Sequence, residues 1–279
     1  MSVFLDDVAV KAFESEVHAE FQSMGFKTKD SLRIRRDVTG SQLQFPKAAA
    51  GIAQQKAFQA DVVPMNVDYA PVTLTLQDWH ASDYSDIFAQ AEVNFDERIE
   101  LVKSSAMAIG RRMDQMVIDA LDASGTANTI AAGAANYTYA KVREAISLLH
   151  QNNAGMNGIY ALVSAQGEDA LLGESELTSS DFVNTRVIDN GGLDGLKLAG
   201  VNWIVLGDMD EGGITKAGND RDCFMWDKAA MGMGIGIDFR TEVNYAPVKL
   251  SYLVSSLFKA NAVAIDATGI VKVTIDESV

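Results

Sequence analysis

Apolar residues change their rhythm along this chain, and the changes mark its parts. In residues 3–24, Val10, Phe13, Val17, Phe21 and Met24 recur at steps of three and four. That spacing predicts an amphipathic helix, with Ser2 to cap it and Gly25 to close it. From residue 32 to 79 the rhythm shortens to two, with Leu32 and Ile34, Leu43 and Phe45, then Val72, Leu74 and Leu76. A period of two belongs to half-buried strands. Three of the four prolines, Pro46, Pro64 and Pro71, fall here, and a residue without an N–H belongs at sheet edges and turns. Residues 48–60 are small and polar with no clear period. The expectation is a long β-hairpin-like loop that projects from the body.

The clearest pattern follows. Ile99, Val102, Ala106, Ile109, Met113, Met116 and Ala120 are spaced 3, 4, 3, 4, 3 and 4. The opposite face carries Arg98, Glu100, Lys103, Ser104, Arg111, Arg112 and Gln115, and Asp96 is placed to cap the start. Residues 96–123 therefore form a helix of roughly 42 Å, lying with one apolar stripe against a sheet or another helix. On this reading Met113 is core, while Arg112, on the charged face, tolerates reversal.

Beyond it the run DASGTANTIAAGAAN (residues 122–136) has no pattern and reads as a linker. A helix returns over 138–152, followed by a buried strand at 159–163 and a short helix over 164–172. Glycine- and acid-rich loops at 189–195 and 207–220 flank a strand at 201–206. The last third reads as strands at 223–226, 235–243, 250–258, 262–265 and 270–275. Helices and strands interleave without regular alternation, so the class is α+β.

Composition narrows the function. Of 279 residues 48% are hydrophobic, enough for a substantial core, and no run reaches the roughly 18 apolar residues of a membrane span. Met1 to Val10 does not read as a signal peptide. Cys223 is the single cysteine, which leaves neither an intramolecular disulfide nor a cysteine zinc cluster and fits synthesis in a reducing cytoplasm. The net charge of −15, from 38 acids and 23 bases, argues against a protein built to grip nucleic acid. Lys27, Lys29, Arg33, Arg35 and Arg36, with only Asp30 among them, form the one basic concentration. They read as a solvated strand, or as an arm that binds a partner.

Candidate chemistry is thin. His18, His80 and His150 are far apart and fit no metal spacing. Ser256 and Lys259 match S-x-x-K but lie in a strand-like run without companion motifs. Gly232, Gly234 and Gly236 give part of a dinucleotide fingerprint. They run into a strand, so a backbone passing close to another element explains them better. Asp208, Asp210 and Glu211 miss the spacing of a calcium loop, which leaves a solvated acidic loop. No catalytic, cofactor-binding or metal residue is assigned, and no cofactor is expected.

The order of elements resembles the major capsid proteins of tailed double-stranded-DNA bacteriophages with the HK97-like fold. DWHASDYSDIFAQAEVNFDERIELVKSSAMAIGRRMDQMVIDAL (78–121) is similar to that family's spine helix and its approach. CFMWDKAAMGMGIGIDFRTEVNYAPVKLSYLVSSLFKANAVAIDATGIVKVTID (223–276) is similar to its C-terminal half, and IYALVSAQGEDALLGE (159–174) to a strand leading into a short helix.

The resemblance implies an N-terminal helix and arm over 1–36, an E-loop over 37–70, and a P-domain strand with the spine helix over 71–123. An A-domain over 124–222 and its exit with the P-domain return strands over 223–279 complete it. It also implies a non-enzymatic coat protein that assembles with copies of itself, in hexamers and pentamers, into an icosahedral head around double-stranded DNA. Scaffolding and portal proteins are the expected partners, with no sequence-specific DNA binding and no membrane, and assembly in the host cytoplasm ends in the virion. One relative of this fold cross-links its subunits covalently, but no residue here carries that chemistry over. Shells need several different surfaces, because heterologous contacts close into rings. An encapsulin-like cargo shell of the same fold, an unrecognised soluble enzyme, and a tail or decoration protein stay open as alternatives.

Overall fold

A computed structural model describes residues 25–92, 96–174, 192–214 and 216–278. The helix expected over 3–24 lies outside them. In chain order the strands are β1 (Arg33–Arg35), β2 (Gln42–Ala48), β3 (Tyr69–Thr75) and β4 (Gln77–Asp86). Helices α1 (Ile87–Glu92) and α2 (Glu97–Asp122) follow, then β5 (Thr129–Ile130), α3 (Tyr139–Gln151), β6 (Ile159–Ser164) and α4 (Ala165–Leu172). The remainder is strand: β7 (Lys197–Leu198), β8 (Val201–Leu206), β9 (Lys216–Ala217), β10 (Asp220–Asp227), β11 (Met231–Ala246), β12 (Ser251–Ala264) and β13 (Ile270–Asp276).

These strands make three sheets. One has four strands in the order β1-β11-β12-β4, and α2 packs against β12 and β4. A mixed seven-stranded sheet runs β5-β13-β10-β6-β8-β7, with β9 on β10, and α3 and α4 pack on it. The hairpin β2–β3 forms the third, and Pro46 stands directly opposite Pro71 in its register. One continuous apolar core joins α2, the four-stranded sheet and the seven-stranded sheet, and it buries Trp203, Trp226, Tyr137, Phe224 and Phe258.

Helix α2 begins as its sequence predicts, with the Asp96 side chain accepting from the Arg98 N–H and Glu97 and Glu100 in the first turn. Both features offset the unpaired N–H groups and positive end of the helix dipole. Ile109, Met113, Met116, Val117 and Leu121 are buried, but Ile99 is 54% exposed. The stripe is core only in its second half. In the first half α2 meets the small hydroxyl side chains of the sheet, where the Ser105 and Ser256 oxygens lie 2.8 Å apart.

Two long strands replace the short ones read in the sequence. β11 and β12 pair from Met231↔Ala264 to Ala246↔Ser251, with register shifts between Ile235 and Ile237 and again before Arg240. A bulge inserts a residue and flips the faces beyond it, which breaks the period of two that sequence reading depends on.

The hairpin is held at its root by a separate cluster of Phe45, Leu74, Leu76 and Ile265. Burying each contributes about 2 kcal/mol. The cluster exists because β11 presents glycines to it. A β-carbon on Gly232 would lie 2.8 Å from Phe45 and Ile265, one on Gly234 3.0 Å from Leu74, and one on Gly236 2.9 Å from Leu76. The G-x-G-x-G run is a floor on which another element sits, as its strand context implies.

Candidate functional site

The residues with candidate chemistry are not brought together. Ser256 and Lys259 are three apart on β12, so their side chains leave opposite faces of the sheet. Ser256 bonds Ser105 and Thr241, and Lys259 pairs with Asp78. His80 is exposed beside Ser82, His150 is exposed near the end of α3, and His18 lies outside the described residues. Burial pushes the Cys223 thiol up to about 12, so at neutral pH it is an inert apolar filler.

The acidic loop is tethered. Asp208 pairs with Arg221, and Glu211 lies 3.7 Å from Arg112. The Gly212 N–H donates to Gln115 on α2, and its own β-carbon position would collide with Arg111, so only glycine fits. Among the described residues no group of three or more His, Cys, Asp or Glu is placed to hold a metal ion. No described helix is long and apolar enough to cross a membrane.

Arg112 corrects the expectation that it is a free surface charge. Its guanidinium lies 3.8 Å over the Trp79 ring and reaches Asp119 and Glu211. It clamps α2 to β4 and to the acidic loop, so its reversal is not neutral.

Buried polar groups hold the layers to one another. Asp114, fully buried on α2, accepts from the Lys27 N–H, the Thr28 N–H and the Thr28 hydroxyl at 3.2, 2.9 and 2.8 Å. Desolvation raises its pKa, and the Thr28 hydrogen bonds only partly oppose that. The Trp226 indole N–H donates to Ser31 O, and the Lys27 ammonium to Val205 O. The turn Lys27–Ser31 therefore ties α2, β10 and β8 together. Lys141 donates to Ala132, Ala135 and Thr274 carbonyls, fixing the loop before α3, and desolvation lowers its pKa. Glu277, its side chain fully buried, pairs with Arg221 and Lys216 and accepts from Ser164.

Pockets are shallow. The recess of about 300 Å³ beneath the hairpin root is lined by Arg33, Lys47, Asp227 and Asp266 among others. Its acids are already committed, Asp227 to the N–H groups of Gly155 and Ala229, and Asp266 to Lys47 at 2.9 Å. No paired acid and base is left to do chemistry there.

What the molecule does offer is surface. Beyond β2 and β3, residues 49–68 run without helix or strand, and Ile52, Phe58, Val62, Val63 and Met65 are all more than half exposed, Phe58 to 93%. A second apolar area surrounds the turn between β11 and β12, with Val248 at 98% exposure and Phe88, Tyr245 and Leu250 around it. The sequence reading noted the small residues of 48–60 and not the apolar side chains set among them. Patches like these mark contacts with other molecules.

A family model described as phage capsid protein matches residues 5–277. No curated protein matches. The capsid of Helicobacter pylori bacteriophage KHP30 superimposes with a TM-score of 0.75 at 11% identity, covering 98% of this chain and 97% of that one. The head structure of Helicobacter pylori bacteriophage KHP40 gives 0.74 at 11% identity, covering 97% and 96%. A structure from Mycobacterium phage Che8 gives 0.71 at 15% identity, covering 97% and 98%. At such identities the likeness is one of fold, and that fold is the HK97-like α+β architecture.

Proposed function

The chain belongs to the phage capsid protein family, and on that premise we propose how its parts share the work of building a shell. It is a structural protein of the phage head, not an enzyme, and it assembles into a multi-copy shell of the virion. The family match does not favour the encapsulin and enzyme alternatives.

The finer reading is ours. The shell is icosahedral, its copies sit in hexamers and pentamers, and it encloses double-stranded DNA without reading its sequence. Assembly takes place in the host cytoplasm with scaffolding and portal partners. Residues 1–36 serve as helix and arm, 37–70 as E-loop, 71–123 as P-domain strand and spine helix, 124–222 as A-domain, and 223–279 as its exit and the P-domain return. The sheet order supports a last segment shared between layers, since β10 lies between β13 and β6 in one sheet while β12 lies between β11 and β4 in the other. The acidity of the chain supports a shell wall that does not adhere to DNA.

The exposed apolar side chains of 49–68 carry the reading. A loop that leaves Phe58 almost fully exposed adds nothing to its own subunit's core and needs a cover from another copy. Replacing residues 48–60 by a short Gly-Ser link tests it. The expected product is soluble, folded protein, with a melting temperature near that of the wild type, that forms no regular shells under negative-stain microscopy. Loss of the fold would place the segment in the core, and shells of normal size and yield would make it dispensable.

A further inference from the structure

Copies of a subunit that carries −15 repel one another, and a shell brings many such copies into contact. Screening confines charge effects to about 8 Å at physiological salt, so the repulsion must be answered by local complementarity at the contacts. Most cations in the structure are already answered within the chain: Lys47 by Asp266, Arg98 by Asp96, Lys259 by Asp78, Lys272 by Asp222. Lys29, Arg33 and Arg35 are exposed, and none makes an ion pair among the described residues, although acids outnumber bases in the chain. Lys56 and Lys197 are also exposed without an ion pair there, but each stands alone, whereas Lys29, Arg33 and Arg35 lie close together along one segment.

Their placement is ordered. β1 is the edge strand of the four-stranded sheet, and its burial alternates, with Ile34 turned to the core and Arg33 and Arg35 turned out. The two arginines stand opposite Gly232 and Gly234, so they project on the side where the hairpin root sits. Arg33 borders the same recess as Lys47. The result is two exposed arginines on one face of an edge strand, two residues apart, beside a lever that leaves the body.

We infer that Arg33 and Arg35 form a basic seat for an acidic surface of a neighbouring copy of this chain. This rests on the shell reading above and adds the partner of one surface. A guanidinium matches a carboxylate in two-point geometry, which gives register as well as attraction. Nucleic acid is the weaker fit: two or three cations on a chain of this charge hold too few phosphates to survive physiological salt. Edge protection is the other competing account, since charges on an edge strand block strand addition.

Charge reversal separates the accounts, because glutamates protect an edge as well as arginines do. Wild type, R33E/R35E and R33K/R35K are expressed with the head genes of the phage. Particles are counted by negative stain, and the unassembled subunit is melted. The reversal should lower particle yield roughly tenfold or more through like-charge contact, with the melting temperature of the subunit unchanged. The lysine variant should keep most of the yield. Wild-type yield from R33E/R35E overturns the inference and leaves edge protection. A lowered melting temperature of the unassembled subunit overturns it by placing the partner acid in the same chain. Intact shells that have lost nucleic acid overturn it in favour of phosphate. If wild type itself forms no particle, the shell reading fails, and the seat with it.

Discussion

Around the seven-stranded sheet even buried charged side chains are matched. Lys141 is shared by three carbonyls, and Arg221 and Glu277 are paired out of solvent. In the hairpin the apolar side chains face outward and are unmatched beyond the root, from Ile52 to Met65. A buried charge is tolerable only where its partners are fixed in advance, so the sheet region must be complete within one chain. An exposed apolar loop is tolerable only where a cover arrives later. One region is built to be finished alone and the other to be finished by assembly.

The strongest way to break that contrast is to damage the core under the sheets. Met113→Asp puts a carboxylate without a partner among Ile109, Met116 and Val117. It should cost about 3 kcal/mol or more, enough to remove folded subunit before any shell can form. Lys103→Asp, on the exposed side of the same helix, should stay within about 0.5 kcal/mol. Equal thermal melts of the two variants would mean that α2 faces the other way.

A milder change separates hairpin from body. Gly232→Val pushes methyls into Phe45 and Ile265 and should cost about 1–3 kcal/mol through overpacking, concentrated at the hairpin root. Hydrogen exchange should quicken across β2 and β3 and stay slow in β10 and β13. Uniform quickening would mean that the root cluster and the main core open as one unit.

The smallest effect concerns the turn Lys27–Ser31. Burial raises the pKa of Asp114 above the ordinary carboxylate value, so the folded chain binds its proton more readily than the unfolded chain. Its contribution is therefore greatest at low pH and falls as pH rises from the ordinary carboxylate value through the raised one. Asp114→Asn should flatten that part of the melting-temperature profile. An unchanged slope would remove Asp114 as its source.

Elements with an uninterrupted period were readable from the residues. α2 announced itself by its 3–4 spacing and its Asp96 cap, and α3 and α4 by their length and flanks. The length of β11 and β12 was hidden because the bulges after Ile235 shift the alternation. Arg112 was misjudged because its helical position is polar-facing, and only the arrival of Trp79 on β4 gives it a partner. Ile99 keeps the period of the core stripe, yet it stays half open at the rim of a shallow recess with Val102 and Val243. The assembly surface was legible only in part. Its prolines and missing period showed a projecting segment, but which apolar residues stay uncovered is a property of the packed molecule.

The facing prolines of the hairpin have a consequence for polymer form. A rung on which both residues lack an N–H cannot be a hydrogen-bonded pair, so Pro46 and Pro71 occupy a rung whose amide positions point away from the partner strand. Each outer edge therefore presents a missing donor where an added strand would need one. Two free edges on a long ribbon would otherwise invite other ribbons, and that growth has no natural end. A protein made in bulk before its container closes is exposed to open-ended fibres as the competing product. Two ring-locked nitrogens, one on each edge, tilt the choice toward a structure that closes on itself.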